Sequence, residues 1–369
     1  MKVIFDMKDL ITALETVQSA AQTKVTSNTN NGYFIAARNG IVEIQANDYS
    51  VGIKTTVPAT IEEEGFIVIA APQLSSTIKM MPPGMISMEQ NQDETIVSFT
   101  NGTYNASFPT RSSDDFPEVR EFEKVNTATI SAKELISMIS MVQFAVSTER
   151  KNALFTGILF EIEGPLMTVV ATNTHRLACK ESTLSKEASS KGRFVVPSGV
   201  LSDVSRLLPS GEGDLVEISW ASNHIAFSFG NTYFISTLIN GEYPEWRRVI
   251  PGTFDAEVTL SLKEFLDAVR FVSPISRDMS YQTINFYFKE DILEIYEEDP
   301  TIGRSDTSIP AKKTGDNVKI TFNCNYIEDI LKHSKGEIII LHLLKNGPMM
   351  VEQEGDKAYR YVVTPMRGH

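Results

Sequence analysis

The most chemically loaded stretch of this 369-residue chain is Thr-Asn-Thr-His-Arg-Leu at 172–177, where an imidazole stands beside a guanidinium. His175 has the side chain of a general base and Arg176 that of an anion clamp. A base, however, works only on a positioned nucleophile or substrate group, and no Gly-x-Ser-x-Gly elbow or equivalent accompanies them. Two other readings fit the same residues: a strand-end turn whose polar side chains hold the backbone, or the rim of a binding site. The two cysteines, Cys179 and Cys324, belong to no Cys-x-x-Cys or Cys/His cluster, so they are expected as ordinary buried thiols rather than metal ligands. The chain has no Gly-rich phosphate loop and no carboxylate pattern for a divalent ion, so no cofactor and no metal are expected. Methionines at 348–350 (Pro-Met-Met) and 364–367 (Thr-Pro-Met-Arg) either fill core or offer a deformable apolar surface to a partner.

Charge narrows the classes further. A net charge of -13 disfavours simple adhesion to nucleic acid, because phosphate-driven affinity depends on Lys and Arg displacing counterions. It does not exclude a protein that encloses DNA without gripping it, since that linkage is topological. Lys24, Lys79, Lys133, Arg150, Arg206, Lys263, Arg277 and Lys332 fall on or beside expected helices and could form a loosely positive face, interrupted by Glu15, Asp203 and Glu328. Hydrophobic residues at 42% and charged residues at 22% are the profile of a soluble globular protein. No apolar run approaches the roughly 20 residues that span a bilayer, and residues 1–6 lack a signal-peptide core, so a cytosolic location without membrane contact is expected.

The elements that must position these residues are written three times. Around 131–146, Leu135, Ile139, Val142 and Val146 recur at helical spacing, Ser131 with Glu134 makes a capping box, and the alternating run at 127–130 reads as a strand. The same strand-then-helix unit opens the chain, with Leu10, Leu14, Val17 and Ala21 after Asp6, and returns with Phe265, Val269 and Val272 after Ser261. Lys-Asp-Leu at 8–10, Lys-Glu-Leu at 133–135 and Lys-Glu-Phe at 263–265 lie 125 and 130 residues apart. Each copy continues with paired alternating strands, a second strand-to-helix unit and closing strands. The acidic, Pro-containing segments 113–118 and 240–245 occupy equivalent places at the ends of the first two copies and read as short ordered linkers. The expected fold is α+β, three repeated domains at 1–122, 123–253 and 254–369, each internally doubled with roughly eight strands and two helices.

The triple repeat, Ala-Thr-Asn-Thr-His-Arg-Leu-Ala at 171–178 and Val-Val-Thr-Pro-Met-Arg at 362–367 together resemble the bacterial sliding clamp family, the β subunit of DNA polymerase III, over the whole chain. The resemblance implies the DNA clamp fold and a head-to-tail homodimeric ring of six domains. Duplex DNA would be encircled without sequence preference, and the helices would line the hole. It further implies a non-catalytic processivity factor that tethers DNA polymerase III, the clamp loader and other proteins carrying a clamp motif. The alternative is a divergent scaffold that binds protein peptides and never encircles DNA.

The family's peptide pocket lies between its second and third domains. Carried over by position, one half matches Thr172, Thr174, His175, Arg176, Leu177, Pro244, Arg248 and Val249. The other half matches Leu154, Phe155, Asn323, Pro348, Thr364, Pro365, Met366 and Arg367. Apolar walls of this kind suit Leu and Phe anchors of an extended peptide. The family's ring joint pairs a late strand of its first domain with the first helix of its third, which matches Tyr104, Ala106 and Phe108 with Phe271 and Val272; internal core is the competing reading for all five, for Ala106 above all. The chain departs from the family pattern at Asn173-Thr174, where Asp-Gly is usual, at Thr364, where methionine is common, and in the polar loop 25–31.

Overall fold

The computed structural model describes residues 1–21, 32–90, 95–112, 116–277 and 282–366. The polar loop at 25–31, Lys24, Arg367 and the first three residues of the 113–118 linker lie outside them.

Each repeat begins as its sequence dictates. The strand Lys2–Asp6 runs directly into helix α1 (Met7–Val17), and the Asp6 carboxylate caps it by accepting the Lys8 N–H at 2.8 Å. The strand Asn126–Ser131 feeds α3 (Ala132–Val142), and the strand Ala256–Ser261 feeds α5 (Leu262–Arg277), where the Ser261 hydroxyl accepts the Glu264 N–H at 3.3 Å. The second helix of each repeat is α2 (Ala71–Lys79), α4 (Ser198–Leu207) and α6 (Cys324–His333). The apolar stripes turn inward: Leu10, Leu14 and Val17 on α1, Leu135, Ile139 and Val142 on α3, and Phe265, Val269 and Val272 on α5 are all buried. Val146 departs from the expected stripe. The helix stops at Val142, a short 3-10 turn (Gln143–Ala145) follows, and Val146 is extended and half-buried. Met138 and Met141 complete that stripe instead.

Counted among the described residues, the three repeats carry nine, eight and nine strands. The extra strand in the outer two is short, Ala59–Glu63 and Lys312–Gly315, and continues the strand before it. Within each repeat the long strands form two antiparallel groups of four: the strand before the first helix joins the three after the second, and the three after the first helix join the one before the second, which is the internal doubling expected from the sequence.

The chain packs as two compact units, and their boundary cuts through the middle repeat. Residues 1–133 with 200–238 form one unit, and 134–199 with 239–369 the other. The reason is strand pairing across repeats. In the first unit the strand Val51–Val57 pairs antiparallel with Thr232–Thr237, fusing strands of the first and second repeats into one 13-stranded sheet. In the second unit Arg176–Thr183 pairs with Asp356–Val363, giving a nine-stranded sheet, while Thr283–Phe288, Ile292–Asp299, Gly303–Pro310 and Val318–Asn323 form a separate four-stranded sheet. These joints are backbone ladders, reinforced in the second by Lys180 Nζ, which donates to both carboxylate oxygens of Asp356 at 2.9 and 2.7 Å.

Candidate peptide-binding site

The turn at 172–176 connects the strands Leu166–Thr172 and Arg176–Thr183, and its own side chains build it. The Asn173 carboxamide oxygen accepts the backbone N–H groups of His175 and Arg176 at 3.1 and 3.0 Å. The Thr172 hydroxyl donates to the Arg176 carbonyl at 2.6 Å and accepts the Thr174 N–H at 3.1 Å. Closing this loop drives Thr174 to φ +77°, a left-handed conformation that a β-branched residue rarely adopts. Thr364, just past the strand Asp356–Val363, donates both its N–H and its hydroxyl to the His175 carbonyl, at 2.9 and 3.0 Å. The turn is therefore both a strand-end device and a rim.

Beneath the rim lies a depression of about 630 Å³ with mainly apolar walls. Its floor belongs to a cluster of Leu159, Val170, Leu177, Cys179, Val195, Tyr243 and Trp246, against which Leu154, Phe155, Ile239 and Ile250 pack. The Phe155 and Tyr243 rings meet edge to face at 5.7 Å. A 3-10 turn, Trp246–Val249, presents Arg248 and Val249 on one side, and Leu344, Pro348 and Val362 stand on the other. Burial pushes the Tyr243 phenol above its ordinary range and the Cys179 thiol up to about 12, so neither offers a nucleophile at neutral pH.

Arg176 is a wall residue whose charge is already engaged. Its Nη1 donates to Asp329 at 2.6 Å and its Nη2 to the Phe144 carbonyl. The guanidinium lies over the Tyr326 ring at 4.5 Å and the Phe144 ring at 5.5 Å. His333 stacks on the other ring, Phe144, at 4.4 Å. An anion clamp would need a free charge, and here the carboxylate of α6 takes it. His175 is exposed on the rim, and its ring makes no hydrogen bond to any described residue. His175, the would-be base of the pair with Arg176, thus has neither a bonded nucleophile nor a bonded orienting group among the described residues.

Of the residues matched to the pocket, the depression gathers Phe155, Thr172, Thr174, His175, Arg176, Leu177, Pro244, Arg248, Val249, Pro348 and Thr364. Leu154 sits behind it against the core cluster. Asn323 caps α6, its side-chain oxygen accepting the Asn325 and Tyr326 N–H groups at 3.0 and 3.3 Å. Pro365 and Met366 run on beyond the rim, where the Met366 N–H donates to the Thr321 carbonyl at 2.8 Å. Tyr243, Glu245, Trp246, Pro251, Leu344 and Val362 line the depression as well. The segment at 240–245 carried the signal for the first of these, since an aromatic anchor in a linker marks a point of burial. Met349 and Met350 are core, buried in the strand Met349–Gln353.

Three of the eight cations of the expected positive face are paired with the acids that interrupt it. Lys79 meets Glu15 at 2.7 Å, Arg206 meets Asp203 at 3.4 Å, and Lys332 meets Glu328 at 2.9 Å. Lys133 and Lys263 are exposed; the side chains of Arg150 and Arg277 are not among those described. At the expected ring joint, Phe271 is 62% exposed and Tyr104 52%. Ala106 and Phe108 are half-buried on the strand Tyr104–Arg111, with Phe108 edge-on to Phe99 at 5.9 Å. Val272 differs: it is fully buried and belongs to the inner stripe of α5.

Three tandem repeats, doubled within and fused by strand ladders, around an apolar surface pocket define a clamp-type binding protein. Three family models cover nearly all of the chain: DNA polymerase III beta subunit, N-terminal domain, at 1–120, central domain at 129–245 and C-terminal domain at 247–367. The chain is 26% identical to the Beta sliding clamp of Bacillus subtilis over the full length of both, and 25% identical to that of Staphylococcus aureus over 97% of each. The crystal structure of the DNA polymerase sliding clamp from Bacillus subtilis superimposes over the whole of both chains with a TM-score of 0.94 at 25% identity. This chain belongs to the DNA polymerase III beta subunit family, the sliding clamps, and its role is that of a replication processivity factor.

Proposed function

We propose that two copies of this chain close head to tail into a ring that encircles duplex DNA and tethers DNA polymerase III and other partners through the pocket at 172–177. The observation that carries the reading is a pairing rule visible twice within one chain. The third strand after the first helix of the first repeat, Val51–Val57, pairs with the last strand of the second, Thr232–Thr237. The third strand after the first helix of the second repeat, Arg176–Thr183, pairs with the last strand of the third, Asp356–Val363. By the same rule Gly303–Pro310 in the third repeat needs the last strand of a first repeat, Tyr104–Arg111, and the next first repeat belongs to another copy.

Both strands have the open edge this requires. Among the described residues Gly303–Pro310 pairs only with Ile292–Asp299. Tyr104–Arg111 pairs along one edge with Ile96–Asn101 and touches Gly65–Ile69 only through Thr110 and Arg111. Such edges invite strand addition. The exposed Phe271 and Tyr104 supply apolar area beside the ladder. The domain division at 122 and 253 goes with this reading; the three family models divide the chain nearby, between 120 and 129 and between 245 and 247.

Weak contact with DNA follows from the same surface. Helix cations held in exposed ion pairs release few counterions, which leaves a clamp free to slide. We assign the ring no catalytic step. The pocket receives a short extended peptide from the catalytic subunit, the clamp loader or other clamp-motif proteins, whose Leu and Phe side chains fit its apolar walls.

Light scattering should report two chains per particle at micromolar concentration. The ring should be retained on nicked circular DNA after loading and released when the circle is linearised. A strictly monomeric protein, or retention that ignores linearisation, overturns the encircling ring and leaves a peptide-binding scaffold.

A further inference from the structure

We propose that the junction of the first and second repeats holds a second copy of the peptide site, kept closed by the chain's own linker, whose Phe122 fills the place that a partner's apolar anchor would take. The inference rests on the peptide-binding reading above and gives the reason why each chain offers one open site and not two.

The rim at 172–176 has a counterpart at 47–51. The Asp48 carboxylate accepts the Ser50 and Val51 N–H groups at 2.9 and 2.7 Å, as the Asn173 carboxamide accepts those of His175 and Arg176. The Asn47 side-chain oxygen accepts the Tyr49 N–H at 2.8 Å, as the Thr172 hydroxyl accepts that of Thr174. Tyr49 is driven to φ +70°, close to the +77° of Thr174. The Thr237 N–H then donates to the Ser50 carbonyl at 2.9 Å, the bond that Thr364 makes to His175 at the same length. Strand register extends the match. Leu177 faces Val362 across the second junction, and Gly52 faces Ile235 across the first.

The two linkers, Phe-Pro-Glu at 116–118 and Tyr-Pro-Glu at 243–245, start alike and then part. Tyr243 is buried with the cross-strand pair Leu159 and Val195, and Phe116 with the equivalent pair Phe34 and Val68. From there the second linker winds into the 3-10 turn Trp246–Val249. Glu161 holds that turn over the strand Gly157–Glu163, accepting the Trp246 indole N–H at 3.2 Å and pairing with Arg247 at 2.8 Å. Val249 is left 52% exposed and the depression beside it stays open. The first linker makes no helical turn over 116–125. Gln45 accepts its Val119 N–H at 2.8 Å and Lys54 pairs with its Glu121 at 3.0 Å, which draws the chain across the sheet. Val119 lies on Gly52, where a Cβ would stand 3.0 Å from Val119 Cγ2. Phe122, in the sequence place of Val249, packs with Ile235 against Val119, Ala226 and Tyr233. The junction is thereby filled from within the chain, and a peptide could enter only while the linker stands off, so its apparent affinity falls by the fraction of time the site is open.

The test titrates a peptide with Leu and Phe anchors and a photoreactive group into the full chain by calorimetry, then cross-links it and maps the label. The unaltered chain should take one peptide, with the label at 172–177. Phe122→Ala should take two, the second labelling the turn at 47–51. Glu121→Lys, which breaks the pair with Lys54 and keeps every apolar side chain, should bring label to the same turn, and it decides the outcome if loss of the ring unfolds the chain. One peptide per folded chain in these variants, with label confined to 172–177, overturns the closed copy and leaves the open pocket standing. Failure of the unaltered chain to bind any peptide overturns the pocket reading and its copy together.

Discussion

Thr174 holds a backbone conformation that glycine adopts without strain, and it does so at the mouth of the pocket. The left-handed region costs a residue with a branched Cβ about 1–2 kcal/mol, partly offset by the greater unfolded-state freedom of glycine. Thr174→Gly should therefore raise stability by up to about 1 kcal/mol in urea titration, and a fall in the midpoint would show that the side chain earns its place by a contact. Arg176 lies under the same rim with its charge held by Asp329. Asp329→Asn leaves a buried guanidinium without its anion, and because Asp329 is itself partly exposed the loss should be about 2 kcal/mol, read by the same titration. Burial also raises the Cys179 thiol from 9.0 to about 12 and the Tyr233 phenol from 10.0 to about 12, and lifts Tyr243, Tyr359 and Tyr361 as well. Each group is held neutral by the fold, so its contribution is complete below the unfolded-state value and is lost as pH rises through the folded one. The contribution of these groups should thus be intact to about pH 9 and fall away towards pH 12, with the tyrosinate absorbance of Tyr233, Tyr243, Tyr359 and Tyr361 rising only as the protein unfolds. Ionisation of all eleven tyrosines with the fold intact would contradict this.

Among the elements, the strands carry most of the organisation and the helices most of the legible pattern. Helical stripes at Leu135, Ile139 and Val142, or at Phe265 and Val269, could be read directly because burial of one face imposes a 3.6-residue period. The ends of those helices could not. Val146 continues the spacing of α3, but a 3-10 turn removes it from the helix, and no local propensity marks that change. The linker at 240–245 was legible as an ordered segment, but its Pro244 was placed in the pocket only by the family resemblance, because Tyr243, and Trp246 just beyond it, meet Leu159 and Leu177 only through the tertiary fold. Gly157 shows how tightly this layer is packed: a Cβ there would lie 2.6 Å from Val195 Cγ1 and 2.7 Å from both Ile239 Cδ1 and the Val196 carbonyl oxygen. Gly157→Ala should cost about 2 kcal/mol by overpacking, measurable as a lower denaturation midpoint with an unchanged slope.

For the whole molecule the decisive surfaces are two strand edges and one exposed aromatic. If Gly303–Pro310 and Tyr104–Arg111 of two copies pair, Phe271 is covered on assembly. Phe271→Asp then places an uncompensated charge in the joint while leaving the protomer folded, since the side chain is exposed in the single chain. Light scattering should show the variant shifted to one chain per particle at micromolar concentration, with loss of retention on nicked circular DNA. A variant that stays dimeric would move the joint elsewhere. Peptide binding should survive in that monomer, because every wall of the pocket comes from residues of a single chain.

Sequence alone determined the three repeats, the α+β class, the inward faces of the helices and the polar turn that rims the pocket. All of these follow from local rules: periodicity sets which face is buried, and Asn, Thr and Ser side chains bond the backbone within a few residues. Tertiary structure decided what those rules do not reach. Strand partners across repeats are chosen by backbone N–H and C=O groups, which every residue carries, so no residue type announces that Val51–Val57 meets Thr232–Thr237 or that Arg176–Thr183 meets Asp356–Val363. The same holds for Arg176, whose charge looks available in the sequence until the fold brings Asp329 to within 2.6 Å.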